Sequence, residues 1–308
     1  LMALGLQPGD EVIVAVNGVF GLRMVENVKR IGATPVVAEF AWGEPVDPEQ
    51  VADVIKSHPR SKILAFVHAE TSTGAMSDAA ALCALARQHG LLSIVDTVTS
   101  WCGIEVNVDG WGADAVYSGT QKCLSAVPGI SPVSFSQAAQ ECITNRKHPV
   151  QSWFLDMNLV MKYWQEGTQR TYHHTAPVNT LYAIHSALRL VLEEGLEARW
   201  QRHWTAHKAL AEGLSGMGID LMVKQPARLP MLNAVQIPEG VNEAEIRSRL
   251  LNDFGIEIGA GLGPLAGKIW RIGLMGNNAR VEVVDQLLRA LQEVLEDHRS
   301  GKKTSVVA

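Results

Sequence analysis

Six short apolar runs mark the first half of the chain, at 11–16, 34–38, 63–68, 91–98, 113–117 and 129–135. Runs of this kind, rich in valine and isoleucine, are the pattern of strands buried on both faces of a parallel sheet. The segments 20–31, 78–89 and 136–146 between them read as helices. Another helix opens at Asp47-Pro48-Glu49-Gln50, where aspartate suits the cap and proline the first turn. Asn17-Gly18 and Pro128-Gly129 break the runs and force turns. Strands and helices alternating at this spacing predict an α/β fold with a mostly parallel sheet between helices.

The composition changes after Ser152, with 153–164 rich in aromatics and methionine. Helices are expected at 179–195 and 195–217. Beyond them, strands at 218–223, 233–237, 256–260 and 268–274 alternate with helices at 243–254 and 280–298. This predicts a smaller α/β layer covered by helices on one side. The expected division is 1–194 as the large domain and 195–308 as the small C-terminal one.

The chain has 308 residues, 47% hydrophobic and 19% charged, as in ordinary globular proteins. A formal net charge of −5 argues against nucleic acid as partner. No apolar run is long enough to span a bilayer. Cys83, Cys102, Cys123 and Cys142 lack close metal-ligand spacing and read as reduced thiols, so a cytoplasmic location is expected. The start, Leu1-Met2-Ala3-Leu4-Gly5-Leu6, carries no basic segment and is not read as a signal peptide. Lys302 and Lys303 read as part of a solvated tail.

One lysine changes the picture. Asp114-Ala115-Val116-Tyr117-Ser118-Gly119-Thr120-Gln121-Lys122 runs from an apolar strand through small residues to an amine. An ammonium group resists desolvation, so packing gives little reason for a lysine at a strand exit. A lysine whose amine must reach a carbonyl is well placed there. Lys122 follows Asp96 by 26 residues, about one strand–connection–strand unit, and Asp96 ends an apolar run of its own. Both are therefore expected at one edge of the sheet, where ligands of parallel sheets bind. Pyridoxal phosphate (PLP) needs this pair, an amine for its aldehyde and a carboxylate for its ring nitrogen. Taken singly, Lys122 could merely snorkel and Asp96 merely cap a turn.

Two further features carry chemistry. His173-His174 invites a metal, but adjacent side chains diverge on helices and strands alike, so no metal site is read. Arg271 lies inside the apolar run Ile269-Trp270-Arg271-Ile272, where it needs a partner. An α-carboxylate suits its planar fork, and an intramolecular Asp or Glu is the competing partner.

Val95-Asp96-Thr97-Val98, Ser118-Gly119-Thr120-Gln121-Lys122, Tyr172-His173-His174-Thr175 and Gly267-Lys268-Ile269-Trp270-Arg271-Ile272-Gly273 resemble motifs of the class V PLP-dependent aminotransferases. The nearest likeness is to the alanine–glyoxylate (serine–pyruvate) group. The resemblance implies fold type I, PLP as cofactor and a homodimer with shared active sites. It also implies small amino and keto acids as substrates, glyoxylate as acceptor, and alanine or serine as donor. Lys122 would hold the cofactor and Asp96 its ring nitrogen. Phe20 would stack on one ring face, Val98 would pack the other, and Thr71 would approach the phenolic oxygen. Gln121 would reach the phosphate, Tyr172 and Thr175 the phosphate of the neighbouring subunit, and Arg271 the substrate carboxylate.

The likeness has one gap. Relatives carry several dozen residues ahead of the position of Leu1, with a Ser-Gly turn at a helix N-terminus that cradles the phosphate. Leu1 to Leu6 resemble the tail of that helix, and the sequence reads either as a fragment or as a shortened relative. Three alternatives accompany the main reading: a non-catalytic dimerising protein on this fold, a ureidoglycine-using transaminase, and a nucleotide-binding dehydrogenase. The last lacks a Gly-x-Gly-x-x-Gly opening a helix. Cysteine desulfurases share the fold, but no cysteine here is placed for that chemistry.

Overall fold

The computed structural model describes residues 6–164 and 171–300. Leu1–Gly5 of the expected helix tail, and Lys302 and Lys303, lie outside the described residues. The chain runs β1 (Glu11–Val16), α1 (Val19–Arg30), β2 (Thr34–Glu39), α2 (Pro48–Ser57) and β3 (Ser61–Val67). A short hairpin of β4 (Ala69–Glu70) and β5 (Ala75–Met76) precedes α3 (Ala79–Gln88) and β6 (Leu92–Asp96). Then come α4 (Val108–Trp111), β7 (Ala115–Tyr117), β8 (Val133–Phe135) and α5 (Gln137–Thr144).

One sheet collects the longer strands in the order β2-β1-β3-β6-β7-β8. Every pairing is parallel except the last, β7 with β8. Successive residues of each strand feed opposite cores: Val12, Val14, Val16, Ile63 and Ala65 on the face of α1, and Ile13, Ala15, Leu64 and Phe66 on that of α2 and α3. Burial of both faces explains why these strands are continuously apolar. Local caps set the helix starts. Asp47 Oδ1 accepts from Glu49 N–H at 2.9 Å, Asp78 Oδ1 from Ala81 N–H at 2.9 Å, and Ser136 Oγ from Ala139 N–H at 3.1 Å.

The chain continues through α6 (Met157–Trp164), α7 (Val178–Glu194) and α8 (Leu196–Gly216) to β9 (Leu232–Gln236), α9 (Glu243–Phe254), β10 (Gly259–Ala260), β11 (Ile269–Gly273) and α10 (Val281–Ser300). The second sheet has the order β10-β11-β9 and is antiparallel. One face, with Val235, Trp270 and Ile272, packs under α8, α9 and α10. The other, with Ala234 and Ile269, meets Trp42 from the first half of the chain. The strand expected at 218–223 is reduced to a single bridge, Leu221 to Val235. That segment does run beside β9, with Met222 N–H bonded to Ala234 O, but the turn at Lys224–Ala227 takes it away before a ladder forms. Among the described residues, no helix is long and apolar enough to cross a membrane.

The β4–β5 hairpin ties the two sheets together. Met76 N–H bonds Ala227 O and Leu229 N–H bonds Gly74 O. Gly74, at φ +82°, lies so close to β9 that a Cβ would stand 3.3 Å from Ala234 N. Only glycine meets both demands without strain.

Candidate active site

The strand order reverses at β1, which has β2 on one side and β3 on the other. In open parallel sheets the crevice beyond the carboxyl ends at such a reversal is where ligands bind. Asp96 closes β6, one strand beyond β3 on the same sheet edge, and register sets its neighbours: Val67 of β3 on one side and Tyr117 of β7 on the other. Residues in register share a face, so Tyr117 O–H donates to Asp96 Oδ2 at 2.7 Å while Val98 N–H donates to Oδ1 at 2.8 Å. Burial pushes the Asp96 carboxyl up; the two hydrogen bonds and the charges of Arg23 and Lys122 pull it back. Burial and the adjacent carboxylate hold the Tyr117 hydroxyl well above its ordinary range, so it remains a donor.

Above Asp96 opens a cavity of about 550 Å³, walled by Phe20, Arg23, Thr71, Asp96, Val98, Tyr117 and Lys122 among others. Lys122 is half-buried on its wall. Arg23 lies over the Phe20 ring, 5.0 Å from its centroid. Both belong to the first turns of α1, whose N-terminus has no side-chain cap of its own. The hairpin caps it instead. Glu70 Oε2 accepts from Phe20 N–H at 3.0 Å and Gly21 N–H at 3.2 Å, and Ser72 Oγ accepts from Val19 N–H at 2.9 Å. Ser72 O–H in turn donates to Glu70 Oε1 at 2.6 Å. Gly18 permits this approach, because a Cβ there would collide with Ser72 Oγ and the Glu70 side chain. Burial pushes the Glu70 carboxyl up, against the pull of these donors.

Arg271 arrives from β11. Its Nε donates to Ala260 O at 2.7 Å and its Nη1 reaches Thr71 O at 3.4 Å. Thr71 lines the cavity; Arg271 itself is not among the lining residues and is joined to it through the Thr71 carbonyl. Among the described residues no carboxylate lies in ion-pair range of Arg271. Burial lowers its pKa, and Glu70 opposes the shift.

Five of the sequence-derived cofactor candidates, Phe20, Thr71, Asp96, Val98 and Lys122, therefore meet on one cavity. Gln121 is exposed; its Oε1 folds back over Gly119, where a Cβ would come within 2.8 Å of it and 3.3 Å of Val98. Tyr172 and Thr175 lie off the cavity, exposed, their hydroxyls bonded to each other at 2.7 Å. Between them His173 stacks on Trp153 at 4.3 Å and shares a 2.7 Å Nδ1–Nδ1 contact with His174. Among the described residues no cluster could hold a metal ion. Sequence reasoning missed Tyr117, Arg23 and Glu70. Tyr117 ends the same apolar run that leads to Lys122, which is a signal; the roles of the other two depend on contacts distant in sequence.

The residues fit the ring of PLP. A primary amine and a buried carboxylate share a cavity with an aromatic and an aliphatic wall, and each Asp96 oxygen can accept more than the one hydrogen bond it has. The helix N-terminus in this wall, that of α1, already holds Glu70 and offers no free anion site.

Residues 1–287 match the family described as aminotransferase class-V. The chain is 39% identical to (S)-ureidoglycine–glyoxylate transaminase of Bacillus subtilis (strain 168), over 98% of this chain and 76% of that protein. It is 38% identical to alanine–glyoxylate aminotransferase of Rattus norvegicus, over 94% of this chain and 70% of the relative. The crystal structure of alanine–glyoxylate aminotransferase from Nostoc sp. superposes with a TM-score of 0.92 at 46% identity, covering 96% of this chain and 77% of that one.

Proposed function

The chain belongs to the class V aminotransferases, and from there we propose that it moves an amino group from alanine to glyoxylate, releasing pyruvate and glycine. The family implies PLP as cofactor. When bound, PLP supplies the electron sink that makes the donor Cα–H acidic. The observation that carries the reading is the meeting of the Lys122 amine and the Asp96 carboxylate on one cavity, with the Arg271 fork bonded to the carbonyl of Thr71, another of its lining residues.

Lys122 would hold the cofactor and then, as a free amine, take the proton from the donor Cα. Returning a proton to the carbon that becomes the glycine Cα completes the second half-reaction. Asp96, fixed by Val98 N–H and Tyr117 O–H, would keep the ring nitrogen protonated. Arg271, without a carboxylate partner among the described residues, would grip the substrate carboxylate with two N–H groups. Donor and acceptor both carry that carboxylate, so one fork serves both, and the keto acid leaves before glyoxylate enters. Serine, giving hydroxypyruvate, fits the same fork. Ureidoglycine is the competing donor, favoured by the 39% identity to the Bacillus subtilis transaminase over 98% of the chain.

Residues 1–194 would form the cofactor-holding domain and 195–308 the smaller one; the separate cores under the two sheets support that division. The enzyme would act as a homodimer. Trp153, Phe154, Tyr172 and Tyr182 are each more than half exposed, an unusual amount of aromatic surface to leave in water. A second copy would cover it and bring Tyr172 and Thr175 to the neighbouring cavity.

The test incubates the PLP-loaded protein with glyoxylate and, in parallel, alanine, serine and ureidoglycine, and follows glycine formation. Glycine with matching pyruvate from alanine supports the reading. Turnover with ureidoglycine alone would transfer the activity to that donor, and no turnover with any would overturn it.

A further inference from the structure

The catalytic lysine sits on an irregular loop, and what holds that loop comes from far along the chain. We infer that Arg199 is a positioning residue for Lys122, fixing the lysine loop and the loop after Asp96 to each other from α8; the inference rests on the reading of Lys122 as the cofactor-holding amine.

Arg199 has only 4% of its side chain exposed. Its guanidinium reaches three elements at once: Nη1 donates to Glu194 Oε2 at 2.6 Å, Nε to Cys102 O at 3.1 Å and Nη2 to Cys123 O at 2.5 Å. Cys123 directly follows Lys122, and Cys102 lies in the turn that Asp96 leads into. Neither carbonyl belongs to a sheet or helix, and buried carbonyls of irregular loops need donors from elsewhere. Cys123 S–H, donating to Thr99 O at 3.1 Å, adds a direct tie between the two loops.

Backbone conformation points to the same place. Among the described residues the non-glycine residues at left-handed φ are Cys102, at +64°, and Ser125, at +60°. Such residues persist where the surroundings over-determine them, often beside functional sites. Here one is bonded to Arg199 through its own carbonyl, and the other lies two residues beyond Cys123. On the far side of the lysine loop, Ser125 Oγ accepts from Asn277 N–H at 3.1 Å.

Glu194 extends the arrangement. It also binds Arg202, whose Nη1 donates to Gly276 O at 2.8 Å and Ala279 O at 2.9 Å. Arg202 thus ties the same carboxylate to the turn before α10, whereas Arg199 ties it to the lysine loop. The two arginines are separable in a test.

Arg199→Lys and Arg202→Lys each keep a cation for Glu194 and lose the branched reach to carbonyls. In protein free of PLP, Arg199→Lys should raise amide exchange of Ser125 and Ala126 by about tenfold or more, the size of one lost charge-assisted hydrogen bond. Arg202→Lys should leave those amides as they are and loosen the turn at 276–279 instead. In the loaded protein, Arg199→Lys should lower kcat by about tenfold with KM for alanine and glyoxylate unchanged, and move the pH midpoint of the cofactor absorbance. Unchanged exchange in Arg199→Lys, equal effects of the two variants on the lysine loop, or a lower melting temperature with kcat and the absorbance midpoint intact, would each overturn the inference. If Arg199→Lys does not fold, Arg199→Gln, read by the same exchange, decides it. Should the wild type bind no PLP at Lys122, the functional reading fails, and the exchange result still says whether Arg199 fixes the loop.

Discussion

The cavity wall and the junction beneath α8 are both made of buried polar side chains, yet they are finished differently. At the junction the charged groups are closed on one another. Arg199 and Arg202 share Glu194 and give their other N–H groups to backbone carbonyls. His203 accepts Gly276 N–H at 3.0 Å through Nε2 while its Nδ1 bonds Arg199 O at 2.8 Å. At the cavity the two cations, Lys122 and Arg271, have no carboxylate in ion-pair range among the described residues. Lys122 is half-buried on the wall, and Arg271 hydrogen-bonds the carbonyls of Ala260 and Thr71. Closed groups fix a backbone; open ones wait for a ligand. Removing a cavity residue should therefore cost activity at little cost in stability, whereas loss at the junction should cost stability first.

The largest effect should come from Lys122. Borohydride reduction of the PLP-loaded protein followed by peptide mapping should place the pyridoxyl group on Lys122. Lys122→Ala should abolish turnover while the melting temperature of the PLP-free protein stays near that of the wild type. Asp96→Asn should lower turnover by orders of magnitude with the melting temperature of the PLP-free protein kept near that of the wild type. A label on another lysine, or near-normal turnover in Asp96→Asn, would remove these residues from the site.

Next in size is Glu194. Glu194→Gln leaves Arg199 and Arg202 without a counter-charge, and breaking such a pair costs about 3 kcal/mol when buried. Glu194 is 26% exposed, which puts the expected loss at or below that figure. Urea titration reads it, and an unchanged midpoint would mean that the junction is as open as the cavity.

Arg271→Lys keeps the charge and loses the planar fork. A charge-assisted bidentate contact is worth about 1.5–3 kcal/mol, so substrate binding should weaken roughly 10- to 100-fold for alanine and glyoxylate alike. PLP content should hold. A KM unchanged for both substrates would show that the arginine has a structural task.

The smallest effect is a pH dependence from the junction. Burial lowers the His203 pKa from 6.5 to about 4, and protonation would also destroy the Nε2 acceptor used by Gly276. The folded state thus binds this proton less readily than the unfolded one. The stability it supports is complete above pH 6.5 and is lost as pH falls from there towards 4, at up to about 1.4 kcal/mol per unit. His68, also held near 4 by burial, adds in the same direction. Melting temperatures of wild type and His203→Gln should converge as pH is lowered from 7 to 4.5, and parallel curves would place the acid sensitivity elsewhere.

Much of this molecule is written locally. The strand β1 and the helices opened by Asp47, Asp78 and Ser136 fall where apolar runs and capping residues predict them, because those preferences act within a few residues. Lys122, Asp96 and Arg271 stand out as candidates for a related reason, since a charge set into an apolar run is costly without a task. The rest was decided by register and by contacts between distant segments. Tyr117 bonds Asp96 only because β6 and β7 pair residue for residue, and α1 is capped by a hairpin 50 residues further on. Arg199 reads as one more surface arginine on a helix until folding brings two buried carbonyls, 97 and 76 residues away, to its guanidinium. A sequence pattern records what each residue can pair with; the tertiary structure decides which unpaired donor and acceptor meet, because that depends on distances no local preference contains.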